Sequence, residues 1–168
     1  MLALVALALA PLVAAEAGTQ ATSGPALGVG VGSQYGRLGL QVSYDQRLPG
    51  RIPLHAVPYA CAGISPDLDR FSGIGFGAGA SLVYGWGHRA ILDLHYGIQR
   101  QELLHLHGTF ITSNQIYGVH IGAGYEYLFD MGLYLRLLPG LIHPVARYTP
   151  GTESWGLSIS IGAGWKAW

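Results

Sequence analysis

The chain of 168 residues is 50% hydrophobic and only 11% charged, with nine Lys and Arg against nine Asp and Glu. A neutral balance without a basic run leaves no electrostatic footprint for nucleic acid, and 26 glycines with nine prolines exclude a helical bundle. After residue 17 no apolar run approaches the roughly 18 residues that a spanning helix requires, which leaves an all-β soluble fold or a membrane β-barrel.

Residues 1–17, MLALVALALAPLVAAEA, read as a secretory signal peptide: an apolar run broken at Pro11 and followed by the small residues Ala15 and Ala17. Cleavage is placed after Ala17, with Ala15 as the alternative site. No Lys or Arg precedes the run, so the amino terminus alone supplies its positive end. Residues 18–26 form a short N-terminal segment, and residues 27–168 carry the barrel. Cys61 is the sole cysteine, which excludes an intrachain disulfide and a cysteine metal cluster.

From Leu27 onward, eight segments of period-two alternation predict eight strands. The first spans Leu27 to Gly32. The second, Gly36 to Gln46, sets Leu38, Leu40, Val42 and Tyr44 against Arg37, Gly39, Gln41, Ser43 and Asp45. The third, Ile52 to Ile64, contains Pro53 and Pro58, each of which removes a ladder donor and calls for a bulge or a strand end. The fourth, beginning at Ser72, sets Ile74, Phe76, Ala78, Ala80, Leu82, Tyr84 and Trp86 against a face that is almost all glycine, and turns at Gly85 to His88. The fifth is Arg89 to Gln99, the sixth Gln115 to Leu128, the seventh Gly132 to Ile142 and the eighth Trp155 to Trp168.

Connections after strands two, four and six are short. Those after five and seven, from Arg100 to about Asn114 and from His143 to Ser154, are longer, as in membrane barrels. In an antiparallel meander the far ends of the even strands share one rim, and there lie Tyr44, Tyr84, Trp86, Tyr125, Tyr127, Phe129 and Trp165. Tyr35, Phe71, Tyr117 and Trp155 fall near the opposite rim. Aromatic girdles of this kind suit the interfacial layer, because the rings are apolar with one polar handle. The bulky apolar face therefore meets lipid, while glycines on the inner face leave room for larger side chains from other strands. A soluble sandwich has the reverse pattern. The predicted fold is all-β: an eight-stranded antiparallel up-and-down transmembrane barrel, closed so that no backbone group is left unpaired in hydrocarbon.

On the signal segment, the alternating strands, the girdles and the terminal GAGWKAW, the chain from about residue 27 to 168 resembles the small eight-stranded outer-membrane barrels of Gram-negative bacteria. That group includes the OmpA transmembrane domain, OmpX and OmpW. The resemblance implies a porin-like architecture in the bacterial outer membrane, with outer-membrane lipids, lipopolysaccharide and the barrel assembly machinery as partners. It also implies that Trp168 acts as the assembly signal. The sequence departs from that pattern in parity: Trp165, Ala163, Ile161 and Ile159 alternate out of phase with Trp168, and Lys166 stands where an aromatic is expected.

With the faces assigned, the inward polar set is Arg37, Gln41, Ser43, Asp45, His55, Tyr59, Ser81, Arg89, Asp93, His95, His120, Glu126, Tyr134, Arg136, Ser158 and Ser160. A lone charge inside a small barrel is costly, so Arg37, Arg89 and Arg136 are expected to pair with Asp45, Asp93 and Glu126. The expected outcome is a plugged interior without cofactor, metal or catalytic residues, and a structural or interaction role carried by the loops around 100–114 and 143–154. Three other readings stay open. A wetted lumen makes a narrow channel for small or hydrophobic solutes. Ser81, Asp93 and His95 on neighbouring strands allow a lipid A-modifying hydrolase, with Asp93 and His95 about 7 Å apart along one face. A soluble calycin-like barrel binding an apolar ligand is the last. His105 and His107 are spaced for a metal but lack a third ligand, and the same segment suits a hydrophobic hairpin extending from strands five and six. The glycine-rich runs have no following helix, so they are not nucleotide loops.

Overall fold

A computed structural model describes residues 23–66, 71–106, 109–145 and 155–167. The signal segment 1–17, most of the 18–26 segment, His107, residues 146–154 of the last long connection and Trp168 lie outside the described residues. The strands are β1 Gly24–Gly32, β2 Arg37–Arg47, β3 Leu54–Pro66, β4 Phe71–Gly85, β5 His88–Leu106, β6 Thr109–Leu128, β7 Leu133–Pro144 and β8 Gly156–Lys166. Each pairs antiparallel with its neighbours in chain order. β1 and β8 join through six positions, from Ala26 opposite Lys166 to Val31 opposite Ile161, and the sheet closes into an eight-stranded up-and-down barrel. Closure removes both sheet edges, so the pairing demands of the backbone are met within the wall.

Along β2 the sides alternate from Leu40 to Gln46, with Gln41, Ser43 and Asp45 buried and Leu40, Val42 and Tyr44 exposed. The same phase holds in β7, where Leu133, Leu135 and Leu137 are exposed and Tyr134, Arg136 and Leu138 are buried. The molecule is thus inverted relative to a soluble protein: Leu92 is 62% exposed and Ile159 60%, while Asp45, Arg89 and Glu126 are fully buried.

The inner glycines are beds for large side chains. A methyl group on Gly28 or Gly164 would meet the Tyr134 ring, on Gly77 or Gly97 the His95 ring, on Gly79 the Tyr59 ring, and on Gly140 or Gly122 the His120 ring. Glycine is unfavourable in strands for its entropy, so its concentration on one face reflects this close approach.

Several expectations are corrected by the structure. The first strand starts at Gly24, because Gly24, Pro25 and Ala26 already pair with Asp45, Tyr44 and Ser43. Pro53 lies before β3. Pro58 sits within it opposite Ala80, without a register shift at that point. The β2–β3 register is likewise the same on both sides of it, at Ser43 opposite Tyr59 and Gln46 opposite Ala56, so Pro58 forces no bulge. Residues 100–114 are not a loop. β5 runs on to Leu106 and β6 begins at Thr109, the two paired with each other through bulges near Ile98/Arg100 and Leu104/His105. Runs such as TFIT are strand-forming and satisfy their backbone groups by pairing locally.

Tyr35 leaves the rim. Between β1 and β2, Ser33–Tyr35 form a single 3-10 turn with all three residues buried. Gly32 and Gly36, at φ 114° and 61°, adopt backbone that other residues rarely reach, and the chain folds into the lumen there. The Tyr35 ring lies against Gly30 and Gly162. At the other end Trp86 is half-buried, not a lipid-facing girdle residue. After the turn at Gly85 (φ 123°) it packs on Ala26, Leu128 and Tyr134, edge-on to His55 and beneath the Arg47 guanidinium.

Candidate functional site

The concentration of chemistry is the filled lumen. Inward positions two residues apart stack into layers in β3, β4 and β5: His55, Val57 and Tyr59; Val83 and Ser81; Arg89, Ile91 and Asp93. The result is a charged layer toward the end that holds Gly24 and Lys166, an apolar layer, and a second polar group beyond it.

In the charged layer, Glu126 from β6 and Asp45 from β2 meet three cations. Arg89 reaches Glu126 Oε1 at 3.0 Å and Asp45 Oδ2 at 2.8 Å; Lys166 Nζ reaches the same two oxygens at 2.7 and 2.8 Å. Arg136 holds Glu126 Oε2 through Nε at 2.9 Å and Nη2 at 2.6 Å. His55 Nδ1 lies 2.6 Å from Asp45 Oδ1. Every one of these side chains is at most 2% exposed. Buried charges of this kind persist only where geometry and additional hydrogen bonds offset desolvation, and here each carboxylate has several donors.

Arg136 also ties the charged layer to the inserted turn. Its Nη1 donates to Gln41 Oε1 at 3.2 Å and Gln34 Oε1 at 3.4 Å, and Gln41 Nε2 donates to the Gln34 carbonyl at 3.4 Å. The turn is fastened to β8 as well, with Ser33 and Ser158 hydroxyls 3.0 Å apart and the Gln34 N–H donating to Ser160 Oγ at 3.4 Å.

The apolar layer is a cluster of Val57, Val83, Ile91 and Leu138, none more than 2% exposed. Beyond it, Asp93 accepts hydrogen bonds from Ser81 Oγ at 2.7 Å and from the Tyr59 hydroxyl at 3.1 and 3.0 Å. His120 Nδ1 stands 3.5 Å from Asp93 Oδ2, and the His95 ring stacks over Tyr59 at 5.8 Å between centroids. No ring nitrogen of His95 or His120 has a hydrogen-bond partner among the described residues.

The positions of the sequence-derived residues are thus clear. Asp45, His55, Arg89, Glu126 and Arg136 form one network; Tyr59, Asp93, His95 and His120 form another. Arg37 is half-buried at the opposite end of β2 from Asp45. The expected arginine partner of Asp93 is replaced by the neutral hydroxyls of Tyr59 and Ser81, because the nearest inward guanidinium on its own strand, Arg89, is turned to Asp45 and Glu126. Ser81 donates to Asp93 instead of contacting His95, so the nucleophile-to-base contact of a hydrolase is not made. Among the described residues no group of three His, Cys, Asp or Glu is arranged to hold a metal.

Four members of the lumen were missing from the inward set: Ser33, Gln34, Tyr35 and Lys166. Lys166 was legible, since the outward phase of Trp165, Ala163, Ile161 and Ile159 puts residue 166 inside, and Ile159, Ile161 and Trp165 are indeed exposed. Ser33, Gln34 and Tyr35 sit in a connection, where strand alternation gives no signal.

On the outside, Tyr44, Tyr84 and Trp165 are exposed at the end that holds Gly24 and Lys166. Tyr125 and Tyr127 lie beside them, half-buried around His88, which contacts the Tyr125 hydroxyl and meets the Tyr127 ring in a T-shaped arrangement. Tyr96 stacks on Tyr117, and His143 on Trp155, toward the other end. Compared with known proteins, the chain matches no protein-family model, no curated protein and no solved structure.

Proposed function

We propose that this chain is a bacterial outer-membrane barrel, exported through the signal segment at 1–17, whose lumen is closed by its own side chains and whose role is structural or interaction-mediating at its rim. The observation that carries this reading is the inversion of the barrel: a bulky apolar outer face around a fully buried ionic network. On β8, Leu157, Ile159, Ile161 and Trp165 are all exposed. They cover about 27 Å along the strand at about 3.4 Å per residue. Tilted by about 40°, that gives a band of about 21 Å, close to the hydrocarbon band of such barrels. In water, so continuous an apolar surface would drive association.

Outer-membrane lipids and lipopolysaccharide are the proposed surroundings, the aromatic residues near both rims sit at the headgroup level, and the barrel assembly machinery reads Trp168. The interior argues for closure and against a wetted path. Four apolar side chains separate the two polar groups, and the Ser33–Tyr35 turn occupies the far end.

The deciding experiment is gel mobility of the mature chain refolded in detergent, comparing unheated with boiled samples. A membrane barrel migrates differently until boiled. A chain that folds and stays soluble without detergent, and shows no shift, would place an apolar surface in water and sink the reading.

A further inference from the structure

His95 and His120 stand directly opposite each other on β5 and β6, and each is at most 1% exposed. From that shared level the rings lie on separate glycine beds, His95 on Gly77 and Gly97, His120 on Gly122 and Gly140. None of the four ring nitrogens has a hydrogen-bond partner among the described residues. An unpaired buried polar atom is destabilising, and a Phe ring would fill either bed without that penalty. What an imidazole offers in its place is titration near neutral pH.

The charges around the two rings support one proton and not a second. Among the described lumen side chains, Asp93 is the carboxylate outside the layer of Asp45 and Glu126. Its Oδ2 lies 3.5 Å from His120 Nδ1, so a charge on His120 has a counter-charge beside it. A charge on His95 has none left to use. Besides Asp93 and His120, the titratable groups near its ring are the Tyr59 phenol stacked on it and the Cys61 thiol opposite Gly77. Tyr35 adds another neutral phenol from the turn, and the Arg136 guanidinium is bonded to Glu126, Gln41 and Gln34. A buried charge without a partner is tolerated only where water reaches it.

The inserted turn ends one step along the wall from that ring. A methyl group on Gly75 would meet the Gly36 carbonyl at the end of the turn, and Gly77, the next inward position of β4, carries the His95 ring. Cys61, opposite Gly77, donates from Sγ to the Ser33 carbonyl at 3.8 Å. Gly32 and Gly36 flank the turn at positive φ, and both have the backbone freedom of a hinge.

We propose that His95 is a proton-triggered latch on the inserted turn. With the ring neutral, the Ser33–Tyr35 turn seals its end of the lumen; when one ring nitrogen takes a proton from water, the turn swings out and the imidazolium is hydrated. The layer of Val57, Val83, Ile91 and Leu138 lies on the other side of Asp93 and stays shut, so acid uncovers a cup at that end without a through path. Every group involved is in the lumen, so the latch does not depend on the membrane reading.

The native Cys61 reports on the turn, because its thiol is buried beneath the Ser33 carbonyl. The full mature chain in lipid vesicles is treated with a pyridyl disulfide, which also reacts with thiols in acid, and each rate is divided by that of the chain unfolded in urea at the same pH. The open state holds one proton more than the closed one, so opening rises as pH falls. The wild-type ratio is expected to climb about tenfold per pH unit between about pH 6 and 4, while the far-ultraviolet circular dichroism of the strands is unchanged. His95→Phe keeps a ring on Tyr59 but cannot titrate, and its ratio stays flat over that range. If its dichroism shows that it has not folded, the smaller His95→Gln takes its place. A flat wild-type ratio overturns the proposal, and so does a climb that survives the loss of His95, which assigns the titration to another group. A chain that stays in solution without detergent fails the membrane reading separately, and the same labelling in solution still decides the latch.

Discussion

Three cations converge on the Glu126 carboxylate, two of them shared with Asp45, and all are out of contact with solvent. Three positive groups against two carboxylates, with His55 on Asp45, make the two acids harder to lose than any one base. Glu126→Gln leaves Arg89, Arg136 and Lys166 facing one remaining carboxylate, and removal of one partner from a buried ionic group costs about 3–5 kcal/mol. Lys166→Met leaves two guanidiniums with two carboxylates and is expected to cost clearly less. Urea unfolding of the two variants in lipid vesicles measures the order, and a larger loss for Lys166→Met contradicts this charge count. At this scale the sequence showed that acids and bases share the lumen. It did not show the pairings, because Asp45, Arg89 and Lys166 meet across strands that are not neighbours.

Among elements, the 3-10 turn is the piece whose position least resembles its sequence. A connection of four residues between β1 and β2 is short enough for a simple hairpin, yet it carries Gln34 and Tyr35 into the lumen. A methyl group on Gly162 would have only the Tyr35 ring as its nearest neighbours. Gly162→Ala should therefore lower stability by about 1–3 kcal/mol through overpacking. In a Tyr35→Ala background the same change should cost much less, and the two substitutions should show a coupling energy of the order expected for residues in contact. Additive effects in denaturant unfolding would mean that the ring is not seated there. The strands themselves were far more legible: the interiors of all eight follow from period-two alternation, and only the extension of β5 and β6 past the rim departs widely from it. In the sequence that extension stood only as one alternative, a hairpin rising from strands five and six, because the alternation that traces the other strands is interrupted there by the bulges near Ile98/Arg100 and Leu104/His105.

For the molecule as a whole, layers of charge, aliphatic side chains and hydroxyl-bound carboxylate fill the interior in succession. A barrel of eight strands is just wide enough for side chains to fill it. Planar bilayers containing the refolded chain are expected to show no single-channel steps. Regular conductance from a heat-modifiable preparation would mean that the Val57, Val83, Ile91 and Leu138 layer opens, and it would turn the reading toward the narrow channel.

Alternation is a local property, and with it the sequence by itself determined the all-β class, the number of strands, the face of each that is apolar and the glycine-lined interior. Even the anomaly at Lys166 was written there, since the phase of its own strand points it inward. Only the tertiary structure decided which charges meet, that Asp93 is held by Tyr59 and Ser81, that the first connection folds inside, and that Trp86 covers one end. Those facts depend on the stagger between strands around a closed sheet, which no single segment encodes: it emerges only when β8 returns to β1 and every ladder must be satisfied at once.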